Sequence, residues 1–244
     1  MTVSAALLAT AWLAAAPSST PVADAAMRGD RDGVRTLLKQ GADVGAAHGD
    51  GMTALHWAAE HADADLAEML VYAGANVAAV TRIGQYTPLH LASKAASVPV
   101  VQVLLRAGAK VGAETRPSGV TALHLAAASG NAALVQLLVE HGADVNAKEA
   151  EWGQTPLIFA AAQNRADAIR ALLAAGADAA ITSKTIDVAH ESQMDRAAAA
   201  LQRKILEASV PKGQQPAASQ VQAAIEAARK LYATGKVPPP EPGA

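Results

Sequence analysis

The tetrapeptide Thr121-Ala122-Leu123-His124 is one of a set. Thr87-Pro88-Leu89-His90 lies 34 residues earlier, Thr53-Ala54-Leu55-His56 lies 34 before that, and Thr155-Pro156-Leu157-Ile158 lies 34 later. Each Thr is followed 21 residues on by a glycine: Gly74, Gly108, Gly142 and Gly176. A fixed period of this length marks a stacked array. One such unit is too small to cover its own apolar face, so each must lean on its neighbours.

Within a unit the pattern predicts two short helices. In the third, Thr121 caps a helix from about 122 to 129, and Gly130-Asn131 breaks it. A second helix runs from about 132 to 140, with Leu134, Val135, Leu137 and Leu138 at helical spacing. Gly142 ends it as a left-handed C-terminal glycine. Leucine pairs recur near this point of the units (Leu37-Leu38, Leu104-Leu105, Leu172-Leu173), so Leu137 and Leu138 are expected between units. The result is an all-α solenoid of antiparallel helix pairs joined by projecting loops. Its composition suits thin layers of closely packed helices: 51% of the residues are apolar but only 3% are aromatic.

These motifs resemble the ankyrin repeat family, whose Thr-Pro-Leu-His-x-Ala signature they carry in register. The resemblance covers about residues 22–185. It implies protein–protein binding through loop tips and the concave helix face. Residues 22–50 read as an N-terminal capping unit, with Gly41 in register and Val22-Ala23-Asp24-Ala25-Ala26 in place of the Thr-x-Leu-His part. Four repeats follow, at about 51–83, 84–118, 119–152 and 153–185. The fourth has Ile158 for His, and Ala62, Ala96 and Asn164 stand where the third unit has Gly130. Residues 186–208 read as a degenerate C-terminal cap. Residues 209–244 read as a linker, a short helix at 219–233 with Val221, Ile225, Ala228 and Leu231 on one face, and a Pro-rich tail.

Residues 1–21 read as a signal-peptide-like segment and linker, because an apolar run of secretory length is followed by small residues. This leads to the expectation of an exported protein, periplasmic or extracellular. The competing readings of the run are an apolar helix capping the stack, with a cytoplasmic protein, and an uncleaved anchor, which would make the chain a membrane-tethered structural adaptor. No apolar run reaches the 18 or so residues of a membrane span.

Several chemistries are disfavoured. The net charge of −2 gives no bulk attraction to nucleic acid. With no cysteine there is no disulfide, thiolate or Cys-based zinc site. His56, His90 and His124 recur one per unit, roughly 10 Å apart in a stack, too far for one metal ion to bridge. They are read as structural, bonding the Thr hydroxyl and the next loop's backbone, together with Thr53, Thr87, Thr121 and Thr155 and the four period glycines. The string from His56 to His61 has neither metalloprotease spacing. Neither an enzyme, a cofactor nor a small-molecule substrate is expected.

The candidate partner-binding residues are those that do not recur. At the loop tips they are Met52, Arg82, Tyr86, Arg116, Glu149, Glu151 and Trp152. On the inner helices they are Trp57, His61 and Lys94. Aromatic and Arg side chains at such places are typical interface anchors, although Tyr86 and Trp152 can equally pack on a neighbouring loop. Trp57, Leu91, Leu125 and Phe159 share one register and form an apolar stripe, as core or as groove. The expected partner is another protein, bound by a monomer.

Overall fold

The computed structural model describes residues 20–184, 188–210 and 215–236. The apolar run at 1–16 and the end of the Pro-rich tail lie outside the described residues. Twelve helices form, and no strand does among the described residues. The chain divides at Lys184 into two compact units.

The first unit holds five helix pairs: α1 Pro21–Met27 with α2 Arg31–Lys39, α3 Ala54–Glu60 with α4 Ala64–Tyr72, α5 Pro88–Lys94 with α6 Val98–Arg106, α7 Ala122–Ser129 with α8 Ala132–Glu140, and α9 Pro156–Ala162 with α10 Ala166–Ala174. The inner helices α1, α3, α5, α7 and α9 pack in series. The outer helices α4, α6, α8 and α10 form a second row. The core runs between the rows. Leu70, Leu104, Leu138 and Leu172, each 34 residues from the next, are all fully buried. Leu137, expected beside Leu138 between units, is only half-buried. In register Leu138 matches Leu104, and Leu137 matches Val103 and Ala171, whose shorter side chains are buried.

The array begins earlier than its Thr-x-Leu-His motifs. Thr20 occupies the N-cap position of α1 and Pro21 its first turn, where a missing N–H and a fixed φ suit a helix start. Thr20-Pro21-Val22-Ala23 stands 33 residues before Thr53-Ala54-Leu55-His56, so the first pair carries the signature with Ala for His. Pro21 is therefore part of this helix and not of a linker.

The turn between paired helices needs one left-handed residue. Gly29 (φ 71°) and Gly130 (φ 86°) supply it freely, but Ala62 (φ 56°), Ala96 (φ 55°) and Asn164 (φ 54°) take it with a Cβ. The residue after that turn caps the outer helix. Asp30, Asp63 and Asn131 accept the N–H of Gly33, Leu66 and Leu134 at 2.8, 3.0 and 3.1 Å.

The second compact unit is a helical hairpin. α11 runs unbroken from Val188 to Ser209, and α12 from Ala218 to Thr234. No glycine or proline interrupts 188–209, so this stretch, read as a degenerate cap, forms one helix of 22 residues and no short pair. Buried Met194, Ala198, Ala224 and Ala228 make a seam of mostly small residues that lets the two helices approach. Gln220 ties the turn, accepting from the Ala217 N–H (2.7 Å) and donating to the Ser209 carbonyl (2.6 Å). Tyr232 hydroxyl donates to Asp195. None of the described helices is long and apolar enough to cross a membrane.

Candidate functional site

The recurring Thr and His residues build a frame. Each imidazole is fully buried. Nδ1 of His56, His90 and His124 accepts the backbone N–H of Thr53, Thr87 and Thr121 at 3.2, 3.1 and 3.2 Å, with the Thr hydroxyl also within 2.9 Å. Nε2 faces a carbonyl of the next loop: Tyr86 at 3.0 Å, Val120 at 3.2 Å and Gln154 at 3.1 Å. An acceptor Nδ1 and a donor Nε2 define the neutral imidazole with its proton on Nε2. Burial pushes all three pKa values below the ordinary imidazole value; the carbonyl partners oppose this without reversing it. Each histidine thus stitches its own unit to the following loop. The fourth unit, with Ile158, has no such stitch to offer.

Ala23 leaves the first pair without an imidazole, and a reversed pair replaces it. Asp24 Oδ1 on α1 meets His48 Nε2 in the loop at 2.8 Å. His48 Nδ1 accepts the Trp57 indole N–H at 3.2 Å, and the two rings meet edge to face. Trp57 is thereby held in one orientation on the inner face, with His61 tilted against it.

The loops show a second repeat that motif reading missed. The Thr81, Thr115 and Glu149 N–H groups donate to the carbonyls of Tyr86, Val120 and Gln154 at 3.0, 2.9 and 3.0 Å. Their side-chain oxygens accept the N–H groups of the same three residues at 3.0, 2.9 and 2.8 Å. The 34-residue spacing of Thr81, Thr115 and Glu149 was a signal available in the sequence, hidden because Glu does not look like Thr. Successive loops are then joined tip to tip. Backbone N–H groups of Arg82, Arg116, Ala150 and Lys184 donate to the carbonyls of Asp50, Gly84, Ser118 and Trp152 at 2.7, 2.9, 2.8 and 2.6 Å.

This arrangement revises Glu149 as a surface charge on the tips. It is 5% exposed. Its carboxylate also accepts the Glu151 and Trp152 N–H groups at 2.8 and 2.7 Å. Burial pushes its pKa up, but the three N–H groups and nearby His124 outweigh that and hold it below the ordinary value. The side chain is spent on closing the loop. A charged acceptor suits a tip with three N–H groups to satisfy, where Thr81 and Thr115 serve fewer.

The remaining candidates fall into two places. Arg82, Arg116 and Glu151 are exposed on the tips, and Trp152 is half-buried among them. His61 and Lys94 are exposed at the ends of inner helices, and Trp57 is half-buried. Met52, Tyr86, Lys94 and Leu91 line one groove between the tips and helices α3 and α5. Ile83, 86% exposed, stands at its edge and is the most protruding apolar side chain of the tips. The Tyr86 ring is pinned in this groove. It lies so close over Gly84 that a Cβ there would sit 2.4 Å from the ring, and its edge meets His90. Leu91 of the apolar stripe is buried, whereas Trp57, Leu125 and Phe159 stay half-exposed, so the stripe is part core and part surface. Phe159 lines a second hollow with Ala128, Gln154 and Gln163. Among the described residues no three His, Asp or Glu side chains gather as a metal site.

Stacked helix pairs, stitched unit to unit and presenting a row of bonded loops, define a repeat solenoid of the concave, ligand-presenting kind. The chain belongs to the ankyrin repeat family: the family model, three copies of the repeat, matches residues 22–115 and 89–183. A curated relative is the Ankyrin repeat and LEM domain-containing protein 1 homolog of Caenorhabditis elegans, 36% identical over 74 residues. That match takes in 30% of this chain and spans only 9% of the relative. Ankyrin repeats serve in general as protein–protein interaction modules and are typically non-catalytic.

Proposed function

We propose that this chain is a non-catalytic module that binds another protein as a monomer, through the loop tips and concave face of its first unit. The observation that carries this is the separation of duties between residues. The recurring Thr, His and loop-closing side chains are buried and fully engaged in the frame. The non-recurring Trp57 and Tyr86 are held in fixed orientations, and Ile83 and Trp152 join them, at an accessible face. Rigid apolar anchors of this kind concentrate affinity, because little freedom is lost on binding. Neither nucleic acid nor a small-molecule substrate fits a surface of this composition and shallowness. The name of the partially matched relative supplies no partner, because the match spans only 9% of that protein.

The test is capture with the purified full chain, followed by binding measurements on the recovered partner. Tyr86→Ala and Trp152→Ala should each weaken binding by more than about 1 kcal/mol with the fold intact. Arg82→Ala and Arg116→Ala should chiefly slow association, and less so at high salt. A variant with tips 82–86 and 149–154 replaced by neutral turn residues that still folds and binds as tightly as the parent would move recognition elsewhere, to the helix faces or to the 219–233 segment.

Export belongs to the same proposal. Its support is the apolar run at 1–16, and sequencing the mature N-terminus from cell fractions tests it. A start near Pro17 or Ser19 supports cleavage; full-length cytoplasmic protein beginning at Met1 overturns it. Full-length protein recovered in membranes would instead favour a tethered adaptor.

A further inference from the structure

The groove between the first two full repeats differs in charge from its counterpart further along the stack. The last residue of α3 is Glu60 and the last of α5 is Lys94, one period apart, and both line this groove. The same register in the next two repeats is Ala128 and Ala162, which line the second hollow with Phe159 and two glutamines. Glu60 and Lys94 are exposed, and neither has an ion-pair partner among the described residues. Asp50 also lines the groove, at its loop-tip end. Its Oδ1 accepts the Met52 N–H at 2.9 Å, which fixes it in place. The same groove has an apolar floor of Met52, Tyr86 and Leu91, with the exposed Ile83 as a raised lip.

Resting on the binding reading above, we infer that this groove takes a protein segment of definite polarity: a large apolar side chain set between a cation and a carboxylate. The cation faces Glu60. The carboxylate faces Lys94. The apolar group sits on Tyr86 and Leu91 beneath Ile83. Adjacent repeats are roughly 10 Å apart, which an extended segment crosses in about three residues at about 3.3 Å each. A cation and an acid about three residues apart, with the apolar residue between them, therefore fit the two ends. Because the charges are opposite and fixed one repeat apart, they set the direction of the bound segment as well as its affinity: reversed, it would place like charges against each other.

Peptides displayed on phage, about 12 residues long and random in sequence, test this on the full chain. The expected consensus is Lys or Arg, a large apolar residue and Asp or Glu at that spacing. A synthetic peptide of that consensus should bind the E60K/K94E double variant at least about tenfold more weakly. Its charge-reversed counterpart, with acid and base exchanged, should bind that variant more tightly than it binds the parent. Ile83→Asp should weaken both. All three substitutions are at exposed side chains, and an unchanged thermal unfolding midpoint confirms that the variants fold. A consensus without opposite charges, equal binding of the peptide to parent and E60K/K94E, or no enrichment overturns the inference. Capture of a full-length partner is read separately, so those results leave the broader binding reading standing.

Discussion

At the residue scale, the buried Thr, His and loop-closing side chains build the frame, and the residues proposed to meet a partner lie at its accessible face. The three stitching imidazoles are neutral because they are buried, and that gives stability a pH dependence with a definite sign. Their folded pKa values are depressed, so the stabilisation is complete above the ordinary imidazole value of 6.5 and declines as the pH falls below it, where the unfolded chain takes up protons that the folded chain refuses. Each site contributes a slope of up to about 1.4 kcal/mol per pH unit. Urea midpoints measured between pH 7.5 and pH 5 should therefore fall, and His124→Gln should fall less steeply than the parent; parallel slopes would remove His124 from the account. The left-handed alanines give an independent check. A Cβ in that conformation costs about 1–2 kcal/mol, and glycine returns only about 0.4–1 kcal/mol of that through a freer unfolded chain. Ala62→Gly and Ala96→Gly should each raise the unfolding midpoint.

At the element scale, helices and loops were unequally legible. The spans of α7 and α8 follow from Thr121, Gly130, Asn131 and Gly142 alone, because caps and breakers act locally. Two things were not legible. The start of α1 was hidden because the first pair keeps Thr20-Pro21 but replaces His with Ala, so its stitch runs through Asp24 and His48, residues that only the fold brings together. The burial of Glu149 was hidden because a carboxylate at a loop tip reads as a surface charge until its N–H partners are located. Glu149→Ala would leave three N–H groups without their acceptor, at about 1–3 kcal/mol for a buried group left unpaired. Faster amide exchange at 149–154, with the α3 and α4 amides unchanged, is the expected signature; unaltered exchange in that loop would mean its closure does not depend on the carboxylate. In the helices, Leu138→Ala should lower stability by about 2–5 kcal/mol. The half-buried Leu137 should tolerate the same change better, and equal losses would contradict the assigned faces.

At the scale of the whole molecule, the period made the solenoid legible from the Thr–Gly spacing, whereas the binding surface was only partly so. Tyr86 and Met52 looked like separate tip residues; the structure joins them with Leu91, on the inner helix, in one groove. Ile83 reads as a tip residue and Glu60 as an inner-helix residue; only the fold shows that both line this groove. On the proposed reading, the array holds its frame on one set of residues and offers another on the concave side, leaving the outer helices as backing. Hydrogen–deuterium exchange on the full chain, alone and with its captured protein partner, measures this directly. The account predicts slowed exchange in the loops around 82–86 and 149–154 and at the ends of α3 and α5, with the outer helices α4, α6 and α8 unchanged. Protection confined to those outer helices, or to the 188–234 hairpin, would contradict it.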